Sequence, residues 1–501
     1  MTMGTFLLPT QPPSRDRASR VTVRITQAAL AVASLVALGA CTALAPNEKV
    51  DAPSSAAYLE PPPGWMAAAP ADTLTRGPWW KLFNDPVLDE LAPQVEVSNQ
   101  TVAADAAAVE ESRAAVREQQ AAFFPTIGLD AGVTRSGVGG KSLVATGATT
   151  ASSNRTTRYT ASLAASWEPD LWGSIANSVS GAKATAQATE ADLAAATLSA
   201  QTAFVTDYLS VREADSEIAI LQTTIVGYER SLKITQNRYA AAIAAKSDVL
   251  QAQTTLANAR SSLAALVQQR KQLFHAMAVL AGQPPATYVL PKGDWNSTSV
   301  PAIPAGLPSE LLQRRPDIAA AQRRVAAANA QIGVARAAYF PALTLSGNAG
   351  PSSSSLSRLF NASSFAWSLG ASLAEGLIDG GARTARVDEA RATWKQAVAN
   401  YRQTVLTAFQ DVEDQLSNAG AVEEQQAQLR DASQAADQTE QIMQNQYQQG
   451  LVAYTDVVTA QASALTARRA LMQISLSRQT AALQMIANLG GGWSTQKLSN
   501  D

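Results

Sequence analysis

The sequence predicts a mixed fold: long coiled-coil α-helices joined to transmembrane β-strands, with four strands per chain and the whole plan written twice. Three observations predict it. Landmarks recur in the same order at a period of about 210 residues. Within each copy, short runs alternate apolar and polar residues at period two. Long segments free of proline then carry apolar residues spaced three and four apart, the seam of a left-handed coiled coil.

The chain opens with Arg15, Arg17, Arg20 and Arg24, followed by an apolar stretch from Ala28 that closes on Leu38-Gly39-Ala40-Cys41. A charged region, an apolar region and a small-residue end define a secretory signal peptide, here residues 1–40. The apolar stretch is shorter than the ~20 residues a helix needs to span a bilayer. Cys41 is the only cysteine of the 501 residues. With one cysteine no disulfide forms within the chain. With one histidine, His275, a zinc site is excluded, and His275 is assigned to helix packing or surface. The net charge of −2 gives no basic face for nucleic acid.

Residues 41–86 read as an extended leader, and residues 87–283 as the first copy. From 87 to 122 the composition is helical, with Pro93 near the start and Pro125 as the stop. The first hairpin covers 126–167. Ile127, Leu129, Ala131 and Val133 form its first apolar face, and Tyr159, Ala161, Leu163, Ala165 and Trp167 its second. A helical hairpin covers 181–282; ~60 residues without proline make a rod of about 90 Å. Ile218, Leu221, Ile225, Tyr228 and Leu232 mark its seam, answered by Leu263, Leu266, Leu273, Met277 and Leu280.

A Pro-rich connector, 284–308, leads to the second copy, 309–491. There a hairpin at 342–373 carries Leu343 and Leu345, then Phe365, Trp367, Leu369, Ala371 and Leu373. The helical hairpin 382–489 carries Val398, Tyr401, Val405, Ala408 and Val412, and residues 492–501 form a tail. The landmarks of the repeat are Ala121 to Pro125 against Ala337 to Pro341, Asn237-Arg238-Tyr239 against Asn445-Gln446-Tyr447, and Leu280-Ala281-Gly282 against Leu489-Gly490-Gly491.

Each alternating run is about nine residues, the length of a tilted transmembrane strand, and aromatics near the ends suit the membrane interfaces. Four strands cannot close a barrel, and an open sheet edge cannot face lipid. Several chains must therefore pool strands; two, three or four copies would all give an even number of eight or more.

A cysteine after a Leu-x-small tripeptide resembles the lipobox of bacterial lipoproteins. With it, the duplication, the Phe-Pro pairs before the strands, and Gly306-Leu307-Pro308-Ser309-Glu310-Leu311-Leu312 running into Arg314-Arg315-Pro316-Asp317-Ile318 make the chain resemble the TolC-like outer membrane factor family, in its lipoprotein (NodT/OprM-type) branch. Pro316 and Asp317 also suit the first turn of a helix. The resemblance implies a homotrimer with a twelve-stranded barrel in the outer membrane and an α-helical barrel reaching into the periplasm. It implies export of small molecules such as drugs, with a periplasmic membrane fusion adaptor and a proton-driven inner-membrane transporter as partners. It implies a diacylglycerol and an N-acyl chain on Cys41, with Thr42 rather than aspartate directing the chain to the outer membrane lipid. It implies no catalysis and no further cofactor.

In that family the hairpins turn at a Tyr-x-x-Gly segment that narrows the periplasmic mouth. Here this is Tyr447 to Gly450, followed by Asp456, which matches an aspartate of an acidic ring; the first copy offers Tyr239 and Asp248, with Ala242 in place of the glycine. Tyr447 matches a position whose hydrogen bonds lock the mouth. A family arginine falls on Val452 and a second acidic position on Thr459, so a single acidic ring with apolar neighbours is expected. Asp456 also suits the start of the returning helix as an N-cap.

Two other functions compete: a duct for secreted polypeptides in a type I system, and a coiled-coil lipoprotein scaffold without a channel. The sequence holds no phosphate loop, nucleophile elbow or triad. Asp411, Glu413 and Asp414 form a carboxylate cluster expected on a solvated or lumen-facing surface.

Overall fold

The computed structural model describes residues 45–46, 50–53, 78–138, 142–143, 149–150, 154–301 and 314–491. The signal peptide 1–40, Cys41, most of the leader 41–86, residues 302–313 with the Gly306–Leu312 motif, and the tail 492–501 lie outside them. The chain divides into two compact units. The first is centred on Ala115–Ala182 and Ala327–Trp394, the second on Lys49–Ala114, Lys183–Ala326 and Lys395–Asp501.

The first unit holds the strands: β1 (Thr126–Val138), β2 (Ser142–Leu143), β3 (Thr149–Thr150), β4 (Asn154–Trp167), β5 (Ala342–Ser353) and β6 (Phe365–Ala374). β2 and β3 pair only with each other; the rest form one antiparallel sheet in the order β1-β4-β5-β6. The expected hairpins thus pair side by side through β4 and β5. In one row Leu129, Leu163, Ala349 and Trp367 stand opposite one another across all four strands. On this face Ile127, Leu129, Val133, Trp367, Leu369 and Leu373 are 65 to 80 % exposed. The four strands have 13, 14, 12 and 10 residues rather than nine. The excess lies where polar residues continue the ladder, as in Thr134 opposite Arg158 and Arg135 opposite Thr157, so backbone pairing outruns the apolar alternation. Pro351, inside β5, has no N–H to give, and the β4–β5 register is interrupted between Thr160–Ser352 and Leu163–Ala349. Gly350 is required there, since a Cβ would lie 2.1 Å from the Ala161 carbonyl oxygen.

The helices are α1 (Pro86–Ser98), α2 (Gln100–Ala121), α3 (Ser174–Ala240), α4 (Lys246–Leu280), α5 (Pro316–Ala337), α6 (Ala382–Gln449) and α7 (Tyr454–Asn488). The single helix expected from 87 to 122 is two, broken at Asn99. Its Oδ1 accepts from the N–H of Thr101 (2.9 Å) and Val102 (3.1 Å), capping α2, while its Nδ2 donates to the Leu280 carbonyl at 2.9 Å. α3 opens at Ser174, ahead of the expected Gly181, which lies inside the helix with Gln331 and Ala330 beside it.

In the second unit the core gathers Trp79, Trp80, Phe83, Leu88, Leu91 and Val95 against Phe204, Tyr208, Met277, Leu416, Leu483 and Met485. Asp85 caps α1 by accepting from Val87 and Leu88 N–H, and its other oxygen accepts from the Tyr208 hydroxyl at 2.5 Å. The coiled-coil seam forms as expected: Leu221, Ile225 and Tyr228 bury against Leu256 and Ala259. Val398, Tyr401, Val405, Ala408 and Val412 are all buried. α5 starts at Pro316, and Asp317 accepts from its own neighbour's N–H, Ile318, at 2.9 Å. Asp414 of the expected carboxylate cluster is exposed, and Asp411 has a partner. Asp411 is half-exposed and pairs with Arg315 at 3.2 Å, and Arg315 also holds Asp317 at 2.8 Å. No helix among the described residues is long and apolar enough to cross a membrane.

Candidate functional site at the hairpin tips

The sites expected from sequence gather where α3 turns into α4 and α6 into α7, both in the second unit. The two turns share one backbone device. At the first, the Ala242 N–H donates to the Tyr239 carbonyl at 2.9 Å and the Ile243 N–H to the Arg238 carbonyl at 2.8 Å. At the second, Gly450 donates to Tyr447 at 3.0 Å and Leu451 to Gln446 at 2.9 Å. This paired 5→2 and 6→1 bonding is the Schellman closure, which needs a left-handed residue after the helix. Gly450 supplies it at φ 79°, and Ala242 is forced into it at φ 58°.

The returning helices also start alike. Ala245 and Ala453 occupy the N-cap positions, which places Asp248 and Asp456 in the first turn of α4 and α7. Asp456 is therefore not the N-cap itself. It sits three residues further on, where its Oδ2 accepts from the Ala453 N–H at 3.2 Å and its own N–H donates to the Ala453 carbonyl at 3.1 Å. A carboxylate there also meets the positive end of the helix dipole. Its side chain is exposed, as is Gly450.

Tyr447 and Tyr239 separate. Tyr239 is 47 % exposed, whereas Tyr447 is buried with Tyr454, Val457 and Ala252, and Val452 packs against that cluster. The Tyr447 ring lies 5.2 Å from that of Tyr454, whose hydroxyl is 3.3 Å from Ser231 Oγ on α3. The Tyr447 hydroxyl, matched by resemblance to a locking hydrogen bond, is buried and has no hydrogen-bond partner among the described residues. The polar contact falls on its backbone instead: Arg238 Nη1 donates to the Tyr447 carbonyl at 2.6 Å, and the guanidinium lies 4.6 Å from the centre of the tyrosine ring. Sequence reasoning overlooked Arg238. Its signal was the one mismatch in the repeated triplet, Arg238 where the second copy has Gln446.

A second polar cluster lies further back along α3. Glu217, almost fully buried, pairs with Arg469 of α7, and Glu213 is buried one turn away. Burial pushes the Glu213 carboxyl up to about 7; the charge of Glu217 adds to the rise, and Arg469 opposes it. Among the described residues no group of His, Cys, Asp and Glu could hold a metal ion.

Set against known proteins, residues 91–283 and 307–491 match the family model described as outer membrane efflux protein. The pyoverdine export outer membrane protein OpmQ of Pseudomonas aeruginosa is 30 % identical over 472 residues, 93 % of this chain and 97 % of that protein. The antibiotic efflux pump outer membrane protein ArpC of Pseudomonas putida is 30 % identical over 471 residues, 93 % of this chain and 96 % of that one. Among solved structures, the outer-membrane channel OprN superposes with a TM-score of 0.80 at 29 % identity, covering 90 % of this chain and 99 % of the channel. CusC superposes with a TM-score of 0.77 at 26 % identity, covering 89 % of this chain and 99 % of that one.

Proposed function

This chain belongs to the outer membrane efflux protein family, and on that premise we propose that it is the outer-membrane channel subunit of a tripartite efflux pump that expels small molecules. One observation carries the reading: a four-stranded sheet whose apolar face is exposed and whose edge strands, β1 and β6, are each paired on one side only among the described residues. Such a sheet is stable in lipid only when other copies close it into a barrel. Three copies give twelve strands, an even number wide enough for an aqueous channel. The likeness to channels such as OprN supports the trimer, and the match of one family model to two segments supports an internal duplication.

In this reading Cys41 carries the diacylglycerol and N-acyl chain that deliver the chain to the outer membrane. A periplasmic adaptor and a proton-driven inner-membrane transporter complete the conduit, and the subunit catalyses no reaction. The hairpin tips form the periplasmic aperture. Gly450 and Ala242 shape the turns, Tyr447 and Tyr239 flank them, and the exposed Asp456 forms an acidic ring, with Asp248 beside it on the first tip. Like charges brought round one axis raise the local negative potential and favour cations.

Conductance in planar bilayers tests this. The purified protein is expected to conduct with a preference for cations and to migrate on gels as a heat-modifiable oligomer. Asp456→Ala is expected to lower that preference several-fold. A wild-type protein that forms neither a pore nor an oligomer would sink the channel reading. An unchanged preference in the variant would remove Asp456 from the aperture.

A further inference from the structure

We propose that Arg135 and Arg155 form a phosphate-binding site on the lipid-facing side of the sheet, one that holds a phosphorylated glycolipid of the outer leaflet. The proposal rests on the reading of the sheet as part of an outer-membrane barrel. Odd-numbered residues share one face throughout, because every register in the sheet pairs odd with odd. That face is the apolar one, with Ile127, Leu129, Val133, Trp367, Leu369 and Leu373. Along β1, β4, β5 and β6 its only charged residues are Arg135 and Arg155. The remaining charges of these strands, Asp130 and Arg158, are even-numbered and lie on the opposite face. There Arg158 Nη1 donates to Ser352 Oγ at 3.1 Å.

Both arginines are exposed and stand at the same end of the sheet. β1 enters from α2 and β4 leaves towards α3 at the Thr126–Ser166 end, so the arginines lie at the far end. In a barrel whose helices are periplasmic, that end is extracellular. Val133 and Tyr159 are the outermost apolar pair on the face, and both arginines lie beyond it. From Ile127 to Arg135 the strand advances about 27 Å at ~3.4 Å per residue. An apolar band ~25 Å tall ends there, and the long arginine stems carry their charges further towards the surface. Arg135 stands opposite Thr157 and Arg155 opposite Gly137. The two arginines are therefore diagonal neighbours, with Cβ atoms about 7 Å apart.

A guanidinium matches phosphate oxygens with paired donors, and two at this spacing converge on one headgroup. No carboxylate on this face competes. β6, whose copy would close the seam beside β1 in a ring, has no charged residue at all. A cation facing lipid is costly at the midplane of a bilayer and nearly free at its surface. Beside anionic headgroups it is favourable. The apolar residues beneath, Val133, Ala131 and Leu129, take acyl chains, which commits the site to a lipid and not to a free phosphate.

Binding of lipid A, a phosphorylated and acylated disaccharide, to the full-length protein in phosphatidylcholine nanodiscs tests the site. Planar-bilayer conductance is recorded on the same preparations. The wild-type protein is expected to bind lipid A about tenfold more tightly than lipid A stripped of its phosphates. The double variant Arg135→Gln/Arg155→Gln is expected to lose about the same tenfold. Arg135→Lys/Arg155→Lys is expected to lose less, because the charge stays and the paired donors go. Arg158→Gln, on the opposite face, is expected to bind as wild type, and inorganic phosphate is expected not to displace the lipid. Equal wild-type affinity for the two forms of lipid A overturns the proposal, and that arm needs no variant to fold. Wild-type affinity in the double glutamine variant overturns it too, as does an equal loss in Arg158→Gln. Displacement by inorganic phosphate would overturn the lipid as the occupant. If the wild-type protein never conducts, the channel reading fails, which is a distinct result from a conducting wild type that is indifferent to the phosphates.

Discussion

Near its tip α3 presents Arg238 to a backbone carbonyl and a tyrosine ring; about 30 Å back along the same helix it presents Glu217 to Arg469. Both contacts join the first helical hairpin to the second, but they differ in what they require. At the tip, one half-buried cation meets neutral partners. In the shaft, two buried carboxylates lie one turn apart and Arg469 pairs with Glu217, while Glu213, buried beside that charge, holds its proton. The shaft joint is thus costly to disturb and depends on pH. The tip joint is lightly built and has no carboxylate among its partners in the described residues.

Removing the Arg469 cation should widen the difference most. Arg469→Ala would leave Glu217 buried without its partner; because the guanidinium itself is half-exposed, the cost is that of one unpaired buried acceptor, about 1–3 kcal/mol. Thermal unfolding of the assembled protein is expected to show the loss, and a shift no larger than that of a surface substitution would place the pair in effectively open solvent.

Acidity should separate the joints next. Glu213 titrates near 7 when folded, against 4.5 for the free side chain. The folded form therefore keeps a proton that the unfolded chain releases. The stabilisation is full below about pH 4.5 and is lost as pH rises through about 7, a change on the order of 3 kcal/mol per chain. Stability measured from pH 5 to 8 is expected to decline, and Glu213→Gln should remove this group's share of the decline. A variant that keeps the whole slope would assign it to other groups.

The smallest effect compares the two turns. Gly450→Ala is expected to cost about 1 kcal/mol, and Ala242→Gly to gain roughly half as much, because a left-handed alanine is strained by 1–2 kcal/mol and glycine returns part of that as chain entropy. A Cβ on Gly450 would meet nothing closer than Arg238 Nη2 at 3.7 Å, so the cost lies in φ and not in a clash. Hydrogen exchange of the tip amides measures it; equal protection in both variants would refute the strain argument.

The periodic parts of this molecule were legible because each repeats a local rule. Leu221, Ile225 and Tyr228 announce a seam by spacing alone, and Leu129, Leu163 and Trp367 announce a face by alternation. The break at Asn99 was not legible, since a lone asparagine within a helical composition gives no sign that the Leu280 carbonyl awaits its amide. The strands ran past their apolar residues because a ladder is made by backbone groups common to every residue type. The turns and the aspartates were found by motif. Arg238 escaped because its partner is a main-chain carbonyl, which no side-chain pattern encodes.

The sheet has one further consequence, and it is genetic. Its two edges belong to the first and last long strands among the described residues. In a ring of copies, each seam joins the β1 of one chain to the β6 of the next, and no seam can be skipped. A copy with a spoiled β6 would therefore disable a whole ring. In a cell making sound and spoiled chains in equal amount, roughly one three-copy ring in eight would contain only sound ones. Damage at this edge should behave as dominant, whereas damage that merely prevents a chain from folding should be silent beside a working copy.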